Sequence, residues 1–227
     1  MAASLKSAFA RATLLIVTGG LCAGQPSGTG RTELPPPSTG GESSLESSLD
    51  RRESIRSFGD EPLSLKQVAQ LLWAAQGVTH AERHRTAPSA GALYPLEVYL
   101  VAGKVEGLEA GTYRYVPGGH DLLPVADGDR RASLAEAALG QSWVGEAPAV
   151  LVIAAVYERT RSKYGERAAR YVPIEAGAAG ENVLLQATDL GLGSVMVGAF
   201  RDGAVSGVVG LRKGETPLLL IPVGKPR

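Results

Sequence analysis

Residues 149–156 read AVLVIAAV, a run of strand length without one polar side chain. A strand with a face in water alternates polar with apolar residues, so this run belongs in the middle of a sheet. The stretch before it that alternates most clearly follows Pro95. Leu96, Val98 and Leu100 fall on one face, and Glu97, Tyr99 and Val101 on the other, with the two-residue period of a strand. Further strands are expected at Thr112–Val116, at Leu122–Val125 after the turn at Gly118 and Gly119, and at Leu218–Val223. One helix is well signalled. Ser64 and Gln67 make a capping box, Leu65, Val68, Leu71, Leu72 and Ala75 make its buried stripe, and Gly77 is its stop. A short helix is expected around Leu45 and Leu49, another from Arg131 to Leu139, and the strongest from Ile174 to Leu190, directly after Pro173. The small residues Ala176 to Gly180 would let a second helix approach closely and suit a subunit interface.

With 227 residues and 44% apolar composition the chain can bury one sizeable core. Lys plus Arg equals Asp plus Glu at 23 each, so no basic field argues for nucleic acid. Cys22 is the single cysteine, which excludes an internal disulfide framework and a cysteine-built metal site. Residues 1–23 look like an export signal: Lys6 and Arg11 precede or flank the apolar run Ala12–Val17, and small residues follow up to Ala23. That run is too short for a stable transmembrane span. The expected location is periplasmic or extracellular, or cytoplasmic if the segment is not a functional signal. Residues 24–44, rich in Gly, Pro, Ser and Thr, read as a flexible spacer and leave 45–227 as the folded domain.

Two segments carry candidate chemistry. If RRESIRSF, Arg51–Phe58, is extended, Arg52, Ser54 and Arg56 project from one side, and two guanidiniums bracketing a hydroxyl suit a terminal phosphate. A solvated basic helix end is the alternative. In TAPSAGALYP, Thr86–Pro95, the prolines oppose a helix, and Ser89, Ala90, Gly91 and Ala92 leave almost no bulk, so the main chain can press against a flat ligand. Here the alternative is a plain surface connector. His80 and His84 stand four apart, but no further ligand is arranged to complete a metal shell. Gly191, Gly193 and Gly198 lie between a helix and a strand with the third glycine displaced, unlike a dinucleotide fingerprint, and the strand end at Val197–Ala199 exposes backbone donors.

Taken in order, RRESIRSF, TAPSAGALYP, KYGERAARY and GLGSVMVGAF resemble the flavin-dependent nitroreductase superfamily, most nearly its SagB-type dehydrogenase branch, over roughly Leu45 to Gly224. The resemblance implies an α+β fold, a central mainly antiparallel sheet flanked by helices, in an intertwined homodimer. It also implies FMN as cofactor and, for reductase members, NAD(P)H as electron donor. By the same resemblance the phosphate and flavin-edge contacts fall on Arg52, Ser54 and Arg56, and the loop against the ring on Pro88, Ser89, Ala90 and Gly91. Gly198 and Ala199 become the backbone donors to the flavin's N5 and O4 side, and Arg56 the group that stabilises charge near N1. Lys163 and Tyr164 match the adjacent Lys and Tyr that assist deprotonation in azoline-oxidising members. Many relatives continue into an arm carrying basic residues to the phosphate, for which Lys225 and Arg227 are the substitutes here. The expected function is an FMN-dependent oxidoreductase exchanging a hydride at flavin N5 with a small molecule or a modified peptide. A noncatalytic exported binding protein that keeps the fold for a flavin or another flat ligand is the alternative.

Overall fold

The computed structural model describes residues 30–80 and 84–227, so the expected signal segment lies outside the described residues. The apolar run forms β7 (Ala149–Ala155), buried along its whole length. It lies between β4 (Leu96–Ala102) and β9 (Thr216–Gly224) in a seven-stranded sheet. On one side β4 continues to β5 (Gly111–Val116), β6 (Asp121–Asp127) and β1 (Thr32–Glu33); on the other β9 pairs with β8 (Gly193–Ser194). Every neighbouring pair is antiparallel. A separate hairpin joins β2 (Val78–Thr79) to β3 (His84–Arg85).

The two-residue period divides the core into two layers. Leu96, Val98, Leu100, Leu151 and Ile153 face α2 (Leu65–Gln76) and α6 (Ala168–Asp189). Tyr99, Val101, Val150 and Val152 face α3 (Arg131–Ala137), α4 (Ser142–Glu146) and α7 (Asp202–Val209). A fully buried Leu, Ile or Val gains about 1.5–3 kcal/mol over leaving it exposed, which is why β7 carries apolar residues on both faces. The capping box of α2 is formed, with Ser64 and Gln67 bonding reciprocally. α1 (Leu45–Arg51) and α5 (Tyr157–Tyr164) complete the α-helices among the described residues.

Three expectations change. Helix α6 begins at Ala168, and Pro173 lies inside it. The carbonyl that a proline there leaves unbonded belongs to Ala169, an exposed residue, so the interruption falls on the wet side. Of the small residues expected to face another subunit, Ala176, Ala179 and Gly180 turn into the chain's own core, where Gly180 lies against Met196 and Leu219. Residues 30–44, within the expected flexible spacer, are docked on the domain. Thr32 and Glu33 pair with Leu122 and Asp121, Leu34 is buried, and Gln70 bonds both the amide and the carbonyl of Ser38. His120 bridges the docked segment to the sheet: its Nε2 lies 2.9 Å from the Pro35 carbonyl and its Nδ1 2.8 Å from the Tyr115 hydroxyl. A carbonyl only accepts, so the Nε2–H donates to Pro35, and Nδ1 meets the Tyr115 hydroxyl. Burial holds the Tyr115 hydroxyl above its usual range, which keeps it protonated.

Candidate functional site

Past the end of α1 the chain becomes extended. The Ile55 amide donates to the Ser194 carbonyl at 3.0 Å, and Ser54 bridges to Ser194, so the segment adds to the edge of β8. Gly193 makes room for it, since a Cβ there would lie 2.6 Å from Ile55 Cγ2. With Ile55 turned inward, its neighbours turn outward: Ser54 and Arg56 are exposed, as strand alternation requires. Arg52, partly exposed, points its Nε at Glu181 of α6 across 3.8 Å. Arg56 lies over the Trp143 ring of α4 at 5.9 Å, and the buried Trp143 indole N–H has no acceptor among the described residues. The chain end runs alongside. The Gly59 amide donates to the Lys225 carbonyl and the Arg227 amide to the Ser57 carbonyl, which brings the exposed Lys225 and Arg227 beside Ser57–Gly59, the stretch that directly follows Arg56.

A second group of residues forms around Pro88–Gly91. The loop makes a single tight turn over Ala90–Ala92, with φ of 62° at Gly91, 55° at Ala92 and 45° at Tyr94. For residues other than glycine this left-handed backbone costs roughly 1–2 kcal/mol each. The contacts that hold it are specific. Ser89 accepts from the Ala92 amide through its carbonyl and from the Tyr94 amide through its hydroxyl. The Ala90 amide donates to Glu175 Oε1 of α6 at 2.9 Å. Arg159 of α5 donates one arm to the Tyr94 carbonyl and the other to Glu97, which Arg114 also engages.

Lys163 and Tyr164 stand at the end of α5 and converge on this loop. A Cβ on Gly91 would lie 2.8 Å from the Tyr164 hydroxyl and 3.0 Å from Lys163 Nζ, so the expected base pair and the expected ring-facing loop are immediate neighbours. A cleft of about 330 Å³ opens beside them, walled by Pro88, Ser89, Ala90, Tyr171, Ile174 and Glu175 among others. Burial raises the Glu175 carboxyl above the usual carboxylate range, opposed by its bonds with the Ala90 amide and the Ser89 hydroxyl. Sequence reasoning passed over Glu175. Its one signal was being the sole charged residue in PIEAGAAG.

Gly198 and Ala199 belong with the first group. Val197 exchanges both backbone bonds with Leu220, pairing stops there, and the amides of the exposed Gly198 and Ala199 enter no backbone bond among the described residues. The Ala199 carbonyl accepts from Gln141, the residue ahead of α4, whose Trp143 carries Arg56. Gln141 and Trp143 are thus site-building residues with no motif to announce them. One chain therefore assembles two clusters, Arg52, Ser54, Arg56, Gly198 and Ala199 in one, and Pro88–Gly91, Lys163 and Tyr164 in the other. They attach to α6 at Glu181 and Glu175. Those points are six residue steps apart on the helix, about 9 Å along the axis and about 120° around it.

His80 and His84 meet edge to face at 5.6 Å, and among the described residues no group of three or more His, Cys, Asp or Glu could hold a metal. No helix among the described residues is long and apolar enough to cross a membrane.

The model of the Nitroreductase family matches residues 49–225. A Methanocaldococcus jannaschii protein provisionally named a nitroreductase is 46% identical over 184 residues, 81% of this chain and 92% of its own length. The microcin B17-processing protein McbC of Escherichia coli is 30% identical over 186 residues, 79% of this chain and 68% of its own. An NAD(P)H-dependent FMN reductase of Bacillus subtilis is 25% identical over 193 residues, 79% of this chain and 64% of its own. Among solved structures, one from Ralstonia eutropha, also provisionally named a nitroreductase, has a TM-score of 0.76 at 33% identity and covers 87% of this chain and 90% of its own.

Proposed function

We propose that this chain, which belongs to the nitroreductase family, is an FMN-dependent oxidoreductase that exchanges a hydride at flavin N5. The observation that carries the reading is the Arg52–Arg56 segment. Clamping Ile55 onto Ser194 presents a hydroxyl and a guanidinium to solvent on either side of it, with Arg52, Lys225 and Arg227 close by, and this is a donor set for a phosphate. The unpartnered indole N–H of Trp143 near Arg56 also fits a site still short of an acceptor. Bound FMN would supply the hydride chemistry itself. The chain's own part is to hold the phosphate with Arg52 and Ser54, to place Arg56 against developing negative charge, to offer the Gly198 and Ala199 amides, and to wall the ring with Pro88–Gly91.

The separation of the two clusters around α6 supports a homodimer, in which one subunit's loop completes the other's phosphate cluster. Leu45, Leu49 and Ile174, large apolar residues exposed on α1 and α6, would be covered in it. Within this reading Lys163 and Tyr164 favour SagB-type dehydrogenation of a modified peptide, because the ends of both side chains meet at Gly91. An azoline ring becomes aromatic by losing a hydride and a proton, and the proton falls to Lys163 Nζ or Tyr164 Oη. The name of the M. jannaschii relative favours a second version, reduction of nitroaromatics or quinones, and that of the B. subtilis relative favours NAD(P)H as donor. Export directed by residues 1–23 is the proposed localisation.

The test is whether the purified protein is yellow, or becomes so with FMN. A colourless protein that takes up no FMN refutes the reading. Azoline oxidation and nicotinamide-driven quinone reduction are then compared in the wild type, Lys163→Ala and Tyr164→Phe. Loss of the first activity alone in both variants identifies a substrate base, whereas a wild type that only reduces quinones leaves the simple reductase.

A further inference from the structure

We propose that Glu175 is the positioning residue that sets the Pro88–Gly91 loop in place for the flavin, an inference that rests on the assignment of that loop to the cofactor. The shape of the loop is not one its residues favour, since backbone angles turn positive at Gly91, Ala92 and Tyr94. Such a turn persists only where its surroundings fix it from more than one side. The bonds that Ser89 accepts from the Ala92 and Tyr94 amides are internal to the loop and travel with it, whereas the bond between its hydroxyl and Glu175 leaves the loop. Arg159 secures only the exit, at the Tyr94 carbonyl. Among the described residues, Glu175 is the one side chain of another element that hydrogen-bonds the loop between Pro88 and Ala92.

Its chemistry is unusual for a mere packing position. The residue is 5% exposed and forms no ion pair among the described residues, and a buried carboxylate offset by hydrogen bonds alone is expensive to keep. What it provides in return is a charge-assisted bond to the Ala90 amide, stronger than a neutral acceptor gives. Because α6 is the long helix of the fold, the loop's entry is thereby referred to a rigid element. The same carboxyl lines the cleft that Pro88, Ser89 and Ala90 share, so a shift of the loop would reshape the wall offered to a flat ligand.

The test follows hydrogen–deuterium exchange at the Ala90 amide together with FMN and riboflavin affinity, by fluorescence titration of the full chain. Glu175→Gln keeps an acceptor oxygen without the charge and should speed exchange and weaken both flavins on the order of fivefold, while Glu175→Ala should do so by roughly ten- to a hundredfold. Leu134→Ala, a core truncation on the other face of the sheet, should lower the melting temperature and leave both readouts unchanged. Unchanged exchange at Ala90, or faster exchange with undiminished affinity, overturns the proposal. So does an equal response to Leu134→Ala, which would reduce the effect of Glu175 to general stability. If Glu175→Ala fails to fold, Glu175→Gln decides alone. A wild type that binds no flavin sinks the cofactor reading and this inference with it, whereas a wild type and variants that bind alike sink only the role of Glu175.

Discussion

Replacing Arg52 with alanine tests the phosphate cluster in a way that separates it from fold. In the structure the Arg52 guanidinium already has a neighbour, Glu181, at 3.8 Å, with side-chain exposures of 33% and 44%. An ion pair that open to water is worth about 0.5 kcal/mol, while a hydrogen bond from a cation to phosphate is worth about 2 kcal/mol. Exchanging one for the other leaves about 1.5 kcal/mol in favour of the phosphate, so Arg52→Ala should weaken FMN roughly tenfold. Riboflavin lacks the phosphate and should bind nearly as before. Glu181→Gln provides the opposite sign, because it frees the guanidinium and removes a carboxylate that repels the phosphate; it should tighten FMN by up to about threefold at low salt. Titration of flavin-free protein with each flavin reads all three. Equal losses of FMN and riboflavin in Arg52→Ala would make Arg52 a structural residue. Weaker FMN binding in Glu181→Gln would show that the carboxylate supports the guanidinium instead of competing for it.

Gly91→Ala should lower stability by about 1–2 kcal/mol, since φ there is 62° and an added Cβ displaces the ends of Tyr164 and Lys163. That corresponds to a fall of about 2–8 °C in thermal midpoint, and an unchanged midpoint would refute the left-handed turn. His120→Ala removes the partner of the buried Tyr115 hydroxyl and the donor to Pro35, and should cost about 1–3 kcal/mol while opening residues 30–44 to limited proteolysis. Unaltered cleavage would mean that the docking of this segment does not depend on His120. The Arg131 guanidinium holds the Asp129 carboxyl below its usual range, so this group's stabilisation is present above its unfolded pKa and lost as pH falls through the lower folded value. Asp129→Asn should therefore differ from wild type at pH 7, by no more than about 1 kcal/mol for so exposed a group, with the difference starting to shrink below about pH 4 and gone only beneath the lowered folded value. A difference that persists in acid would point to packing.

The parts of the fold legible in the sequence are those whose signal repeats within a few residues. AVLVIAAV announces a central strand because no face of it could meet water, and the Ser64–Gln67 box announces α2 because both cap bonds are local. The elements that were not legible draw their stability from elsewhere. β1 is two residues long and exists because β6 offers it an edge. α4 has no side-chain cap, and α7 carries glycines at two of its eight positions, so neither outweighs a loop on propensity. The spacer is the clearest instance. Its Gly, Pro and Ser content describes a chain with nothing to bury, yet Leu34 and the backbone around Ser38 find partners on His120 and Gln70 that no local pattern reports.

The same division runs through the candidate site. Arg52, Ser54 and Arg56 could be read together because their relation is strand alternation, which sequence spacing encodes directly. The glycine in GLGS could be denied to a dinucleotide motif, but its actual work is to let Ile55 approach β8, a contact across the chain that spacing does not show. Glu175 lies 85 residues from the amide it holds, and Gln141 58 from the carbonyl it meets. A residue that acts at such a remove is recognisable only by the chemistry of its surroundings. For Glu175 that chemistry is a buried carboxylate at the wall of a cleft, without an ion pair among the described residues, and, opposite it, a backbone turn that could not persist unaided. Each is expensive alone, and their pairing through the Ala90 amide and the Ser89 hydroxyl accounts for both, which is why the loop and the helix are better understood as one device than as two neighbouring features.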